Sequence, residues 1–268
     1  MNLAQANLRR LLARDGLKVG HSVFEFDTPG IGQIIKAADA DFTFIDMEHS
    51  GFGFAELKRL ITSMRAADLP SLVRPPSKSG SHISRALDVG ADGLILPMVE
   101  TAAEAEKVVA DMKYPPQGHR GVALGIAHDG YAPGPAAPKL RAANQRTAFV
   151  ALIETAQGIE NVDEIAAVKQ LDCLWVGHFD LSSSLGIPGE FDNPVFTRAV
   201  DKVRRAAKKH GKSLARLVND ADLGAALYKK GFDVICYSGD LWTYQEALTR
   251  GISDLRSSCG PASKGKKK

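Results

Sequence analysis

Short apolar runs alternate with amphipathic segments along most of the chain. The runs are continuously apolar and rich in Val, Ile, Leu and Phe, which is typical of parallel strands buried on both faces. There are eight such runs: Val19–Phe24, Phe42–Asp46, Ser71–Arg74, Gly93–Met98, Phe149–Glu154, Cys173–Gly177, Ser213–Leu217 and Val234–Ser238. Between them, apolar residues recur at helical spacing, most clearly in Phe54–Ala67, Thr101–Met112, Asn193–His210 and Asp220–Lys230. Eight strand–helix units predict an α/β protein with the (β/α)8 TIM-barrel fold.

Two parts of the chain do not fit the repeated unit. Residues Met1–Gly16 carry four leucines at helical spacing, so we expect a helix that caps the bottom of the barrel. Residues Pro115–Arg146 form a long insertion, and so long a loop is usually a lid, a binding loop or an oligomer contact. We expect one barrel domain over residues 1–258 and a disordered basic tail over residues 259–268. A doubly wound open sheet is the alternative fold, but no glycine fingerprint for a dinucleotide follows the first run.

Charge and cysteine content narrow the class of protein. The 268-residue chain has a formal net charge of +3, but four lysines stand among its last five residues. Without them, 30 basic residues face 31 acidic ones, so the folded body lacks the basic surface that nucleic acid requires. No apolar stretch approaches the roughly 20 residues that span a bilayer, and the start lacks a signal-peptide pattern. With Cys173 and Cys236 inside apolar runs, we expect a cytoplasmic protein with neither nucleic acid nor membrane as a partner.

Polar side chains cluster where the predicted strands end. In a (β/α)8 barrel, the carboxyl ends of the strands and the loops that follow them build the active site. The polar residues at these ends are Asp46, Glu48 and His49 after the second run, Arg74 after the third, Glu154 after the fifth, and His178 and Asp180 after the sixth. Groups from four strands thus meet at one mouth, which predicts a catalytic site.

The two acids Glu154 and Asp180 are candidate metal ligands. They would repel each other in one cavity unless a cation lies between them or one of them is protonated. Carboxylates suit Mg²⁺ or Mn²⁺, and two protein ligands leave coordination positions for water and a chelating substrate. Alternatively, each acid caps the helix that follows it or pairs with a surface lysine.

Arg74 and His49 have two interpretations each. A buried guanidinium aimed at a cavity suits a carboxylate or enolate oxygen. A salt bridge from Arg74 to Asp46 or Glu48 is the alternative, and both can hold together. His49 stands on a strand-to-helix loop near glycines, which favours exposure at the mouth, whereas an isolated histidine is often a packed core residue.

Seven motifs in order resemble the HpcH/HpaI family of class II, metal-dependent pyruvate aldolases, which act on 4-hydroxy-2-oxo acids and 2-keto-3-deoxy acids. The motifs are Ile45-Asp46-Met47-Glu48-His49, Val73-Arg74-Pro75, Leu87-Asp88-Val89-Gly90, Leu96-Pro97-Met98-Val99, Tyr114-Pro115-Pro116-Gln117-Gly118-His119-Arg120-Gly121, Ile153-Glu154-Thr155 and Gly177-His178-Phe179-Asp180-Leu181-Ser182. The resemblance runs from about Val19 to about Leu248. It implies a lyase that cleaves a 4-hydroxy-2-oxo acid to pyruvate and an aldehyde through a metal-stabilised enolate. It also implies a C-terminal helix exchanged between partner subunits and a homohexamer built as a trimer of dimers.

The resemblance implies one divalent ion, Mg²⁺, Mn²⁺ or Co²⁺, in each subunit. Glu154 and Asp180 match the family's metal ligands. The 2-oxo acid would chelate the metal, and its carboxylate would lie against the backbone amides around Gly177, Phe179 and Asp180. Leu217 is expected to contact the same substrate.

The resemblance also assigns catalytic roles to three side chains. Arg74 matches the arginine that steadies the developing enolate. His49 matches the histidine associated with acid–base work, and Asp88 matches the aspartate that orients it. No apolar run contains a lysine for a Schiff base, which argues against the lysine-dependent mechanism of class I aldolases.

Three residues depart from the family pattern near the expected pocket. His178 stands where the family usually has proline, and it could be an extra ligand, an acid–base group, a substrate contact or only a positioner. Leu152 replaces a residue that is often glutamine. Arg216 occupies a position that is usually aliphatic, and it would recognise an acidic or bulky substrate tail or pair with a surface acid. We therefore expect a substrate unlike diacids or sugar acids.

Other functions stay open at this point. An oxaloacetate decarboxylase or another metal–enolate lyase on the same scaffold is the main alternative, because it shares the pyruvate enolate. A coenzyme-A ester lyase lacks support from any nucleotide-binding feature. A non-enzymatic anion-surface binder rests only on the terminal lysines, and short lysine runs at chain ends are usually just solvated.

Overall fold

The eight predicted strands lie side by side in chain order and close into a parallel barrel, because the last strand pairs with the first. A computed structural model describes residues 7–260. The strands are β1 Lys18–Val23, β2 Phe42–Asp46, β3 Ser71–Arg74, β4 Gly93–Leu96, β5 Ala148–Ile153, β6 Cys173–Val176, β7 Ser213–Val218 and β8 Val234–Gly239. The (β/α)8 prediction is confirmed.

Helices occupy the segments between the strands. They are α1 Leu8–Leu12, α2 Ile31–Ala37, α3 Phe54–Ala66, α4 Gly80–Asp88, α5 Ala102–Met112, α6 Ala136–Arg146, α7 Ala156–Glu160, α8 Val162–Ala167, α9 His178–Ser184, α10 Pro194–Lys209, α11 Ala221–Lys229 and α12 Asp240–Cys259. Local side chains fix several starts: Asn193 accepts from the Val195 N–H at 2.9 Å, and Asp220 accepts from the Leu223 N–H at 2.7 Å. Capping of this kind explains why polar residues could mark these boundaries in the sequence.

Alternate residues of each strand face two different cores. The barrel interior holds one core, to which Phe44, Leu72, Leu152, Trp175 and Ala215 belong. The second core lies between the strands and the surrounding helices, and it takes the intervening residues. The two cores show why the strands read as continuously apolar runs, since most residues on both faces of the strands are buried.

Within the described residues, the leucine-rich N-terminal segment forms α1 against the barrel. Leu8, Leu11 and Leu12 of α1 are buried in the interior core. Ser213 at the start of β7 donates its hydroxyl to the Leu12 carbonyl at 2.8 Å. The helix therefore closes the amino end of the barrel. Leu3, which the pattern placed on the same helix, lies outside the described residues.

The insertion lies at the base of the barrel, because α5 ends there and β5 begins there. It contains α6 and a short 3-10 helix at Ala127–Asp129. Its Arg120 pairs with Asp88 at the end of α4 at 2.5 Å. Lys113 donates to the backbone carbonyls of Asn144 and Thr147. The insertion is thus no lid over the mouth of its own chain. Its roles as a binding loop or an oligomer contact stay predictions.

Helix α12 packs few of its side chains against its own barrel. Asp240 is its only buried residue, whereas Tyr244, Leu248, Ile252 and Leu255 are exposed along the helix. The helix continues to Cys259, one residue past the expected end of the domain, and residues 261–268 lie outside the described part. Among the helices of residues 7–260, none combines the length and the apolar character needed to cross a bilayer.

Candidate active site

A cavity of about 480 Å³ opens at the carboxyl ends of the strands. Its lining includes these residues singled out from the sequence: His49, Arg74, Leu152, Glu154, Gly177, His178, Phe179, Asp180 and Leu217. The strand register explains why they meet. Asp46, Arg74 and Glu154 each stand two residues after an interior-facing residue, so they continue the inward row where the barrel opens.

Arg74 is held by two acids at once. Its Nε and Nη2 donate to the two Asp46 carboxylate oxygens at 2.9 and 2.5 Å, and its Nη1 lies 3.0 Å from Glu48 Oε2. Burial alone would lower the pKa of the guanidinium, but the bonds and charge of Asp46, with the charge of Glu48, raise that pKa above its usual value. Both acids weighed as salt-bridge partners are therefore engaged, and the guanidinium still lines the cavity.

His49 lies at the rim of the cavity with 63% of its side chain exposed. Its core alternative is therefore wrong. The Nε2 atom is 3.9 Å from Glu48 Oε2, and Glu48 in turn contacts Arg74. The Glu48 carboxylate thus lies beside both side chains but is in close contact only with the arginine.

The expected pairing of Asp88 with His49 is wrong for two side chains of one chain. Asp88 is the last residue of α4, and its carboxylate pairs with Arg120 in the insertion. Helices of this fold run antiparallel to the strands, so the end of α4 lies at the base while His49 lies at the mouth. The motif around Asp88 therefore contains an ion pair at the base of the barrel. The sequence alone does not tell at which end of the barrel a helix residue lies.

Glu154 is 2% exposed and is fixed by a strained neighbour. Its Oε1 accepts from the Met98 N–H at 2.7 Å. Met98 has a φ of 47°, a left-handed conformation that non-glycine residues rarely adopt and that collects at functional sites. On the other side, a Cβ added at Gly177 would lie 2.3 Å from Glu154 Oε2. Gly177 therefore leaves room for this carboxylate.

The helix-cap and lysine-pair alternatives for the two acids are wrong. Thr155 caps α7 by accepting from the Gly158 N–H at 3.0 Å, so Glu154 does not. Asp180 lies within the first turn of α9, after its N-cap Gly177. Within residues 7–260, neither carboxylate forms an ion pair with a lysine or arginine. Burial, together with the charge of Asp180, raises the pKa of Glu154 to about 7.

This arrangement fits a divalent cation bound by two protein carboxylates. A buried acid beside a second acid lacks a compensating charge, and hard carboxylate oxygens are the ligands that Mg²⁺ and Mn²⁺ prefer. No cluster of three His, Cys, Asp or Glu side chains suited to a metal occurs in the described range. The two carboxylates are thus the candidate protein ligands in this part of the chain, and a role of His178 as a further ligand stays a prediction.

His178 is packed among aromatic rings. Its ring centroid lies 4.6 Å from that of Phe179 and 5.1 Å from that of Phe191. Burial, followed by the nearby charge of Arg216, lowers the pKa of His178 to about 4. The imidazole that lines the cavity is therefore neutral near pH 7.

Aromatic walls were missed by the sequence reasoning. Phe24 and Trp242 have ring centroids 4.9 Å apart, and Phe44 and Trp175 have centroids 5.5 Å apart; all four side chains line the cavity. Leu152 and Leu217 add aliphatic surface to the same walls. Phe44 and Trp175 could have been found from the sequence, because alternate residues of a strand point into the barrel. Trp242 gave none, because it reaches the mouth from the start of α12.

Asp240 holds the first loop of the mouth in place and was also missed. It is 5% exposed. Its carboxylate accepts from the backbone N–H groups of Phe24, Glu25 and Phe26 at 3.0, 3.0 and 2.7 Å. One buried acid thereby joins the end of β1 to the start of α12, which fixes the wall formed by Phe24 and Trp242.

The expectation that Arg216 recognises a substrate tail is wrong. Ala215 and Leu217 face the barrel interior, so Arg216 between them faces outward. It lines a separate cavity against α10 and α11. The surface-acid alternative is wrong as well, since no described residue forms an ion pair with it.

The family model described as HpcH/HpaI aldolase/citrate lyase matches residues 26–246. The chain belongs to this family. A 5-keto-4-deoxy-D-glucarate aldolase of Shigella boydii is 30% identical over 223 residues, which cover 83% of this chain and 85% of that protein. A 4-hydroxy-4-methyl-2-oxoglutarate aldolase of Chaetomium globosum is 36% identical over 203 residues, with coverage of 73% and 74%.

A solved structure gives the same result for the fold. The HpcH/HpaI aldolase from Desulfitobacterium hafniense superposes with a TM-score of 0.88 at 30% identity, covering 97% of this chain and 99% of that one. The recognition of the family from ordered motifs is confirmed, and the chain is a lyase of the aldolase type. The family match spans every predicted mouth residue from His49 to Leu217.

Proposed function

We propose that this chain is a divalent-metal-dependent aldolase that cleaves a 4-hydroxy-2-oxo acid to pyruvate and an aldehyde. The observation that carries the proposal is the pair Glu154 and Asp180 beside Arg74 in one cavity. Family membership supplies the reaction class, and the site supplies the groups that such a reaction needs.

The carboxylates have one role in this proposal, which is to hold the cation. Breaking the C3–C4 bond leaves a pyruvate carbanion, and a bound divalent cation supplies the electron sink for it. Glu154 is preset for this role by the Met98 N–H, which holds one of its oxygens at 2.7 Å. The first backbone N–H groups of α9, which lack helical partners, would receive the substrate carboxylate.

Arg74 stabilises the negative charge that develops on the keto oxygen. Its fork is prepositioned by Asp46 and Glu48, so little reorganisation accompanies the reaction. His49 takes the proton of the C4 hydroxyl, directly or through water, since it is exposed at the rim. The Glu48 carboxylate lies 3.9 Å from Nε2, beyond hydrogen-bond distance, so we assign it no orienting bond to the ring.

The walls of the cavity favour an apolar aldehyde. Phe24, Phe44, Trp175 and Trp242 surround it, and His178 is neutral near pH 7. Arg74 is already engaged by two acids. A second carboxylate on the aldehyde would therefore be desolvated without a free cation, which is unfavourable.

The test is solvent deuterium exchange into the methyl group of pyruvate, followed by NMR on EDTA-treated protein. We expect exchange only after Mg²⁺, Mn²⁺ or Co²⁺ is added. Exchange that proceeds equally in EDTA would refute the metal requirement. Absence of exchange with all three metals would refute pyruvate as the 2-oxo acid.

An aldehyde screen then tests the walls. Condensation of pyruvate with phenylacetaldehyde should be faster than with succinic semialdehyde, and Trp175→Ala should reduce this preference by about tenfold, the value of one or two kcal/mol of lost contact. A preference for succinic semialdehyde would contradict the apolar assignment. Release of pyruvate and CO2 from oxaloacetate, with no aldehyde condensed onto pyruvate, would point to the decarboxylase alternative.

We also propose that α12 is exchanged between partner subunits of a homohexamer. Tyr244, Leu248, Ile252 and Leu255 expose apolar surface that their own barrel leaves uncovered. The double substitution Leu248→Asp/Ile252→Asp should lower the mass measured by light scattering, whereas Glu246→Gln on the same helix should not. An unchanged mass in the double variant would refute the exchange.

A further inference from the structure

A second cavity lies on the outer face of β7, between α10 and α11, with a volume of about 660 Å³. Its walls include Phe191, Phe196, Leu223, Leu227 and Phe232, and Arg216 enters it from the strand. Leu217, the next residue along β7, faces the mouth instead. The two cavities are therefore on opposite sides of the same strand.

The guanidinium of Arg216 is buried without an acid. The residue is 6% exposed, and its Nε is enclosed with no hydrogen-bond partner. Its only described contacts are with rings, at 5.6 Å from the Phe191 centroid and 5.7 Å from that of Phe196. Burial lowers the pKa of Arg216 to about 10, so it stays charged near pH 7.

The acids near the cavity do not neutralise this charge. Asp201 is already bound by Arg204 at 2.6 Å and by Arg205. Asp192 is exposed and forms no ion pair within the described chain. Lys229 and Lys230 add further positive charge at the rim.

An unpaired buried cation is costly, and an aliphatic residue at this position would pack without that cost. A guanidinium fork pairs best with a planar carboxylate in bidentate geometry. The surrounding rings and leucines suit an apolar body, which inorganic phosphate lacks. The charge and the walls thus describe one class of ligand.

We propose that this cavity binds a small organic carboxylate with an apolar body, its carboxylate on Arg216 and its body against Phe191, Phe196 and Phe232. Phe191 also contacts His178 and Phe179, with centroid distances of 5.1 and 5.3 Å. This ring separates the ligand cavity from the mouth.

The test is isothermal titration of the full chain, stripped with EDTA, using benzoate, acetate and inorganic phosphate as probes. We expect benzoate to bind more tightly than acetate or phosphate. Arg216→Met should weaken benzoate binding by about tenfold or more, as expected for the loss of a charged hydrogen bond. Arg74→Met, which removes the arginine of the mouth, should leave benzoate binding unchanged.

Several results would overturn the proposal. They are no benzoate binding to the unchanged protein, equal binding to Arg216→Met, loss of binding in Arg74→Met, or tighter binding of phosphate than of benzoate. Arg216→Lys, which keeps the charge but not the fork, should be intermediate and serves if the methionine variant does not fold. A second copy of the chain as the occupant is detected as a lower mass for Arg216→Met in light scattering, and it would also refute the small-ligand proposal.

Discussion

Two buried arginines on barrel strands have opposite surroundings. Arg74 ends β3 on the interior row and donates to Asp46 and Glu48 at 2.5 to 3.0 Å. Arg216 lies on the outward row of β7, where its guanidinium is 5.6 and 5.7 Å from the ring centroids of Phe191 and Phe196. The acids raise the pKa of Arg74, whereas burial lowers the pKa of Arg216 to about 10.

The difference teaches that burial alone does not identify a catalytic arginine. A paired guanidinium in the mouth is oriented and still holds donors for a developing oxyanion. An unpaired guanidinium in a cavity walled largely by aromatic and aliphatic side chains is the anion-binding group of our proposal for the second cavity. The same residue type therefore serves two sites. Whether its side chain faces the barrel interior or the surrounding helices decides which site it belongs to.

The largest expected effect lies with the carboxylates of the mouth. Glu154→Gln and Asp180→Asn should each reduce metal-dependent pyruvate exchange by about a thousandfold or more, because the cation contributes several kcal/mol. Glu106→Gln, an exposed acid on α5, is the matched control. NMR exchange rates with Mn²⁺ measure the loss, and circular dichroism checks the fold. Activity retained in both variants would refute the metal-ligand assignment.

Arg74→Lys should cost about a hundredfold in kcat/KM for aldol cleavage. Lysine keeps the charge, but it cannot donate simultaneously to Asp46 and to the substrate with a fixed fork. Steady-state kinetics with the aldehyde found in the screen measure the effect. Near-normal turnover in this variant would mean that charge alone suffices, and the contrast with Arg216 would lose its basis.

His49→Ala should lower aldol cleavage by about a hundredfold while lowering pyruvate methyl exchange much less. The reason is that exchange does not involve the C4 hydroxyl proton. Glu48→Gln should shift both rates in the same direction as His49→Ala, because Glu48 also contacts Arg74. Equal loss of cleavage and exchange in His49→Ala would contradict the assigned proton transfer.

Most of the fold could be predicted from the sequence because each strand is buried on both faces. Four strong helices, such as the one over Pro194–Lys209, were found to within one residue because caps mark their ends. Helix α6 was missed: only Ala143 and Asn144 are buried along it, so it lacks a continuous apolar stripe. The location of the insertion at the base follows from topology, which a loop's composition does not encode.

The candidate site was predicted in part for the same reason. Strand ends locate Arg74, Glu154 and Asp180, since chain order fixes which ends meet. The alternation of side chains along a strand places Arg216 outside, because its neighbour Leu217 continues the interior row. Asp88 required knowledge of which end of the barrel a helix terminus occupies. The Met98 strain and the Asp240 anchor depend on backbone geometry and leave no sequence pattern.

The smallest expected effect on turnover completes the comparison of the two arginines. Arg216→Met should change kcat/KM by no more than about twofold, because Arg216 does not line the mouth and the ring of Phe191 stands between it and His178. It should also leave the unfolding temperature equal or higher, since an uncompensated buried charge is removed. The matched variant Arg74→Met should lose most activity and be destabilised, because it leaves Asp46 buried without a cation. Calorimetry and steady-state kinetics on both variants test this contrast. Equal changes in unfolding temperature and kcat/KM for the two variants would mean that the inward or outward position on the strand does not separate the two roles.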